Sequence, residues 1–96
     1  MDNIRIERIK TMEQHLDIAK KAIIDLECAI ENFKAAQSNI AALAEYYHSR
    51  NWVEDYTADN NGKIPDNLKR GVLSEDGVYN TLTDNDTLVE LLKNYK

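Results

Sequence analysis

The residues that could carry out chemistry are few, and they are scattered along this sequence. His15 and His48 are too far apart to place two imidazoles on one helical face. Cys28 is the single cysteine, so it can form neither an intrachain disulfide nor a thiolate cluster. We therefore predict no catalytic residue, no metal site and no cofactor, and we expect the protein not to be an enzyme.

The segment from Thr57 to Gly62 resembles the opening of a calcium-binding loop, because oxygen ligands alternate along it and a glycine stands sixth. Such a loop needs Asp at its first position and Glu at its twelfth, where this chain has Thr57 and Leu68. Most of the coordinating charge is therefore missing. The segment is predicted to be a plain turn.

The segment from Lys69 to Tyr79 is the best candidate for a functional surface, because opposite charges and an aromatic ring converge around two glycines. Purely structural roles are an alternative explanation for these residues. Gly71 would end a helix as its left-handed cap, and Ser74 would cap the next one. Lys69 or Arg70 would then pair with the acidic residues that follow Ser74, so the segment could serve structure alone.

Trp52 and Tyr56 stand four residues apart and would share one helical face. We expect them to close the end of the core, although amphipathic aromatic residues also suit interfaces. Together with the preceding segment they define a candidate interaction surface, which comprises Trp52, Asp55, Tyr56, Lys69, Arg70, Glu75, Asp76 and Tyr79.

The composition is that of one folded domain covering residues 1–96, with 43% hydrophobic and 30% charged residues. A net charge of −5 has the wrong sign for tracking a phosphate backbone, so no direct nucleic-acid binding is expected. The charged amino terminus is unlike a secretory signal, and no apolar run approaches the ~20 residues that span a bilayer. We predict a cytoplasmic protein without membrane contact.

The first half of the chain is predicted to form one amphipathic helix over about 3–48. It contains no Gly or Pro before residue 59, and apolar residues recur in steps of three and four. Only Gln37 interrupts that heptad row. The row comprises Ile9, Met12, Leu16, Ala19, Ile23, Leu26, Ile30, Phe33, Ile40, Ala44 and Tyr47.

The second half predicts short helices over about 50–57 and 65–70 and a C-terminal helix over about 75–95. Asp59 to Gly62 supply a turn, and Pro65 suits the first position of a helix. The C-terminal helix, with its own apolar stripe, would pack back on the long helix as a helical bundle or hairpin. The predicted fold class is therefore all-α.

The last helix would span about 30 Å, less than half of the predicted long helix, so part of the heptad row has no cover from its own chain. We expect a homodimer or another helical protein to cover it. The predicted oligomer face comprises Ile9, Met12, Leu16, Ile23, Leu26 and Ile30.

From Trp52 onward the chain resembles the domain-of-unknown-function family DUF4298. The resembling residues are Trp52, Asp55 and Tyr56, then Gly62 to Pro65, and above all the run from Leu68 to Asn80. The resemblance implies a small helical protein of the bacterial cytosol. It implies no activity and no catalytic residues.

Three functions remain open from the sequence. The leading hypothesis is a non-enzymatic protein–protein interaction or adaptor module that acts through its heptad face. An acidic inhibitor or nucleic-acid mimic is the first alternative, and it would need carboxylates spaced along one face like phosphates. The second is a small-molecule-binding protein or enzyme with a site near Trp52, Arg70 and Tyr79, which would need a deep polar pocket there.

Overall fold

The computed structural model describes residues 2–95, which contain three α-helices and no strand. Helix α1 covers Asp2–Tyr47, α2 covers Arg50–Asn60 and α3 covers Glu75–Asn94. One turn of 3-10 helix at Gly71–Leu73 precedes α3. The prediction of an all-α fold with a long N-terminal helix, a shorter helix and a C-terminal helix is confirmed.

The chain divides into two compact units, of which the N-terminal unit ends at Gln37 and the C-terminal unit begins at Ser38. The N-terminal unit contains only the part of α1 that ends at Gln37, and every side chain from residue 2 to residue 29 is exposed. The C-terminal unit contains the last turns of α1, α2, the 3-10 helix and α3. Buried side chains can therefore stabilise the C-terminal unit, whereas residues 2–29 have none.

Local interactions favour the helical state of α1. The absence of Gly and Pro removes the strongest helix breakers. Ion pairs at i,i+3 and i,i+4 spacing lie along its surface, the shortest being Lys21 Nζ to Asp25 Oδ2 at 2.7 Å. Such exposed pairs contribute only about 0.3–0.5 kcal/mol each. They do not replace the packing of an apolar face.

Ser49 connects α1 to α2. Its hydroxyl donates to the Tyr46 carbonyl oxygen at 2.6 Å, at the end of α1. Ser49 Oγ in turn accepts the Trp52 backbone N–H at 3.3 Å, which caps the start of α2. One small residue therefore satisfies backbone groups of two successive helices and fixes the junction between them.

Helix α2 ends at a glycine-based cap. Gly62 has a φ of 73°, the left-handed conformation that disfavours side chains. The Lys63 N–H donates to the Ala58 carbonyl at 3.0 Å, and the Gly62 N–H donates to the Asp59 carbonyl at 3.0 Å. These two bonds form a Schellman motif. The predicted turn at this position is therefore a helix terminus with a defined hydrogen-bond pattern.

The predicted short helix at 65–70 is wrong, and so is the left-handed cap at Gly71. A single turn closes there, in which the Leu68 N–H donates to the Pro65 carbonyl at 3.1 Å. Six mostly polar residues gain too little from packing to offset the cost of helix nucleation. Gly71 instead opens the 3-10 helix, and its carbonyl accepts the Ser74 N–H at 3.1 Å.

The core of the C-terminal unit is small. Leu73 and Val78, with 9% and 4% of their surfaces exposed, are the buried hydrophobic residues among positions 2–95. Ser74 stands between them and caps α3 as predicted, because its Oγ accepts the Gly77 N–H at 3.2 Å. The half-buried residues of the same unit include Ile40, Leu43, Tyr47, Trp52, Tyr56, Leu82 and Val89.

Candidate functional site

Three rings meet where α1 passes into α2, and we call Tyr47, Trp52 and Tyr56 the aromatic cluster. Trp52 stacks on Tyr56 with ring centroids 5.0 Å apart and an angle of 18° between the planes. Tyr47 meets the other side of Trp52 edge-on at 5.2 Å. Both geometries are favourable for aromatic pairs. The predicted pairing of Trp52 with Tyr56 on one helical face is present.

The indole of Trp52 also makes the cluster's longest-range hydrogen bond. Its Nε1–H donates to the Val72 carbonyl oxygen at 2.8 Å, across twenty positions of sequence. Val72 lies in the 3-10 helix, between Gly71 and the buried Leu73. One side chain therefore ties α2 to the turn that leads into α3.

A second side-chain bond crosses the junction between α1 and α2. The Tyr46 hydroxyl donates to Asp55 Oδ2 at 2.6 Å. Desolvation by burial, the largest cause, together with the hydrogen bond and charge of Asp55, raises the pKa of Tyr46 to about 12. The neutral phenol is therefore favoured in the folded protein. Asp55, a predicted surface residue, has a structural partner.

Arg70 pairs with Asp59, not with the acidic residues of α3. Its Nη1 lies 2.6 Å from Asp59 Oδ1, and the two side chains are 35% and 24% exposed. The expected pairing of Lys69 or Arg70 with Glu75 or Asp76 is therefore wrong. Asp59 lies in the last turn of α2, where its carboxylate is within reach of the chain returning through Arg70. Asp59 belongs to the turn that resembles a calcium-binding loop, and its carboxylate is paired with the Arg70 guanidinium.

An open pocket of about 470 Å³ lies beside the start of α3. Its lining is mainly apolar, and Lys69 and Thr81 contribute its polar side-chain atoms. Trp52, Arg70 and Tyr79 do not line it. The lining residues are Leu43, Lys69, Gly71, Val72, Gly77, Val78 and Thr81.

The hydrogen bonds and ion pairs of residues 2–95 do not join all eight residues of the candidate interaction surface into one network. Glu75 and Asp76 occupy the first turn of α3, and Tyr79 is 59% exposed. Across the described chain, no hydrogen bond or ion pair joins these three residues to Trp52 or Arg70. Sequence reasoning missed Tyr46, Tyr47 and Asp59. Tyr46 and Asp55 are nine residues apart, a spacing that no helical periodicity brings together.

The predicted oligomer face is a second candidate site. Five of its residues lie in the fully exposed part of α1, with exposed fractions from 45% for Leu16 to 60% for Ile23. The sixth, Ile30, is half-buried. Together with Ala19, the first five define what we call the exposed stripe, which comprises Ile9, Met12, Leu16, Ala19, Ile23 and Leu26.

Other kinds of site find little support in the described part of the chain. Between residues 2 and 95, no group of three or more His, Cys, Asp or Glu side chains is placed to hold a metal ion. Cys28 is exposed. No helix within the same residues is long and apolar enough to cross a membrane.

Both candidate sites lie within one segment that matches a known protein family. The family model described as domain of unknown function (DUF4298) matches residues 9–94, from the start of the exposed stripe to the end of α3. The chain belongs to this family. The resemblance inferred from Trp52 onward is therefore confirmed, and it extends through the long helix as well. No curated protein and no solved structure matches the chain.

Proposed function

We propose that this family member is a non-enzymatic protein–protein interaction module of the cytoplasm. Its binding element is the heptad face of α1, and a second copy of the chain is the simplest occupant. The observation that carries the proposal is the exposed stripe. A regular apolar row of six residues runs through a helical segment in which every side chain is open to solvent.

The energetics of an isolated helix support this proposal. Helices without tertiary packing are marginal in water, because most helical stability in proteins comes from burial of an amphipathic face. Residues 2–29 have no such burial within the chain. Complete burial of a Leu, Ile or Met side chain contributes roughly 1.5–3 kcal/mol. A partner that covered the stripe would therefore stabilise the helix and bind through the same contacts.

The C-terminal unit supports the non-enzymatic part of the proposal. Four of its polar side chains form two structural pairs, namely Tyr46 with Asp55 and Arg70 with Asp59. The pocket beside α3 has a mainly apolar lining, in which Lys69 and Thr81 stand without a carboxylate or imidazole to activate them. A reaction centre would need a nucleophile, acid or base aimed into such a space. We assign the C-terminal unit a structural role and the exposed stripe of α1 the binding role.

Charge substitution within the exposed stripe tests the proposal. We expect sedimentation equilibrium of the wild-type protein at tens of micromolar to give a dimer, and Leu16→Glu to give a monomer, because a buried charge in the stripe has no partner. Gln14→Glu is the matched control, since it introduces the same residue on the opposite side of the same helix. This control should associate like the wild type.

Native mass measurement of complexes isolated through a tag on the protein provides the second measurement. A heteromeric complex that Leu16→Glu abolishes and Gln14→Glu preserves would retain the module and assign it another helical partner. The proposal is wrong if the wild type is monomeric at tens of micromolar and Leu16→Glu changes neither the mass found by sedimentation nor any native complex.

A further inference from the structure

The exposed stripe has sharp ends. Towards the amino terminus the next core position of the heptad is Arg5, which is charged and exposed. Towards the carboxyl terminus the next position is Ile30, which is half-buried. The uncovered core positions therefore run from Ile9 to Leu26, and their midpoint lies between Asp17 and Ile18.

The flanks of the stripe carry an ordered charge pattern. With Ile9, Leu16 and Ile23 at heptad position a, one flank (position e) presents Glu13 and Lys20. The other flank (position g) presents Arg8, His15, Ala22 and Ala29. Neither Glu13 nor Lys20 has an ion-pair partner within residues 2–95. Flanking charges of this kind set partner choice and helix orientation in coiled coils.

From this geometry we propose that a second copy of the chain docks antiparallel on the exposed stripe, with the twofold axis between Asp17 and Ile18. The inference rests on the proposed function and adds the orientation and register of the pair. The axis brings Ile9 opposite Leu26 of the second copy, Met12 opposite its Ile23, and Leu16 opposite its Ala19. Such a pair covers the whole stripe.

Charge complementarity favours this register. In an antiparallel pair each e flank faces the e flank of the other helix, so Glu13 stands next to Lys20 of the second copy, and Lys20 next to its Glu13. A shift by one heptad in one direction would oppose Glu13 to Glu27 and Lys20 to Lys20. A shift in the other direction would oppose Glu13 to Glu13. Both neighbouring registers therefore place like charges together.

Side-chain size favours the antiparallel orientation. At the centre of the pair large residues meet small ones, since Leu16 faces Ala19 in the core and His15 faces Ala22 on the g flank, an alternation that fills space evenly. A parallel pair would gain Arg8 beside Glu13. It would also oppose Ala19 to Ala19, which leaves a gap in the core, and it would bring His15 next to Lys20. The antiparallel pair also aligns the helix dipoles favourably.

Charge reversal with reciprocal mixing tests the register. Glu13→Lys alone and Lys20→Glu alone each turn two attractive contacts per dimer into repulsive ones, so each variant should dimerise roughly tenfold more weakly at low salt. An equimolar mixture of the two variants should associate as tightly as the wild type, because every contact in the mixed antiparallel pair is again complementary. Asp17→Lys, which lies off the stripe, is the control and should leave dimerisation unchanged.

The mixture also discriminates against a parallel pair, in which the lysine introduced by Glu13→Lys would stay beside Arg8 of the other chain. Failure of the mixture to recover while the wild type still dimerises would overturn the antiparallel register and leave the proposed function intact. A wild-type protein that does not self-associate would overturn both the self-association and this inference.

Disulfide trapping in a Cys28→Ser background gives an independent readout. Mixed Ile9→Cys and Leu26→Cys proteins should form a heterodisulfide under mild oxidation, because the antiparallel register makes these positions direct neighbours. Ile9→Cys alone should not crosslink, since its two copies would lie about 25 Å apart at ~1.5 Å per residue. Rapid crosslinking of Ile9→Cys with itself would indicate a parallel pair and would overturn the inference.

Discussion

The two units of this chain are supported by different kinds of interaction. In the N-terminal unit the interactions of residues 2–29 are local, such as the pair of Lys21 with Asp25. In the C-terminal unit, side chains bridge elements that are eleven and twenty residues apart, through Arg70 and Trp52. Helical propensity alone suffices to specify the first pattern, whereas the second exists only once the chain has turned back. From this difference we expect the C-terminal unit to be stable by itself and the N-terminal unit to depend on the proposed partner.

The largest expected effect concerns hydrogen exchange. Amides in residues 9–26 should exchange at least roughly tenfold faster when the protein is diluted well below the dissociation constant of the proposed dimer, because the exposed stripe would then lose the burial that the second copy provides. Amides around Leu73 and Val78 should keep their protection. Exchange mass spectrometry measures both regions in the same experiment, and it is carried out at two protein concentrations. Equal protection of residues 9–26 at both concentrations would contradict the expectation that this segment depends on a partner.

Trp52→Ala should cause the largest loss of stability among substitutions in the C-terminal unit. It removes two ring contacts and the hydrogen bond to Val72, and we expect the free energy of unfolding to fall by about 3 kcal/mol. Urea unfolding followed by circular dichroism measures this change. Tyr79→Ala is the control, because Tyr79 is 59% exposed and should cost much less. Equal losses for the two variants would remove the assigned role of the aromatic cluster.

Arg70→Gln should lower the free energy of unfolding by about 1 kcal/mol, since the ion pair with Asp59 is partly screened by solvent. Lys69→Gln changes the charge by the same amount one residue earlier and makes no ion pair within the described residues. It should have little effect. If the two variants unfolded at the same urea concentration, the loss would reflect net charge and not the specific pair.

Gly62→Ala should cost roughly 1 kcal/mol, because a side chain disfavours the left-handed conformation of the Schellman motif. No atom lies within 4 Å of the Cβ that would be added, so steric contact contributes nothing to that cost. Gly71→Ala provides the control. It has equally open space and no positive φ, so its stability should stay near that of the wild type.

An effect of similar size is expected at alkaline pH and belongs to Tyr46. Burial and the contact with Asp55 raise its folded pKa to about 12, above the ordinary value of 10.0, so this environment stabilises the protein fully below that ordinary value. The contribution is lost as pH rises through about 12. Tyr46→Phe should be less stable than the wild type by about 1 kcal/mol at neutral pH, and the difference should shrink over this alkaline range. A difference that stayed constant with pH would exclude the ionisation of Tyr46 as its cause.

Local sequence signals predicted the helices and their caps well, with identifiable exceptions. Ser74 and the acidic residues after it predicted the start of α3, because capping depends on residues within one turn. Pro65 predicted a helix that does not form, since a favourable first residue cannot replace missing burial. Gly71 looked like a helix cap, yet it opens the 3-10 helix that leads to the buried Leu73.

The candidate site on α1 was open to prediction because a heptad row is a property of sequence spacing. The aromatic cluster was predicted only in part, through Trp52 and Tyr56. Its third ring, Tyr47, belongs to the preceding helix, and the Trp52 indole bonds to a backbone carbonyl, which carries no sequence signature. From the sequence alone, Arg70 could form an ion pair with any of several acidic residues, and only the fold shows that its partner is Asp59.

The amino-acid sequence by itself determined the all-α class, the length of α1 and the phase of its apolar row, because these depend on propensities and spacings within a few turns. Tertiary structure decided which charges pair and which residues are buried. It also decided that the row stays uncovered as far as Leu26. The physical reason is that these outcomes depend on where the returning chain passes, and a pattern along one helix does not contain that information.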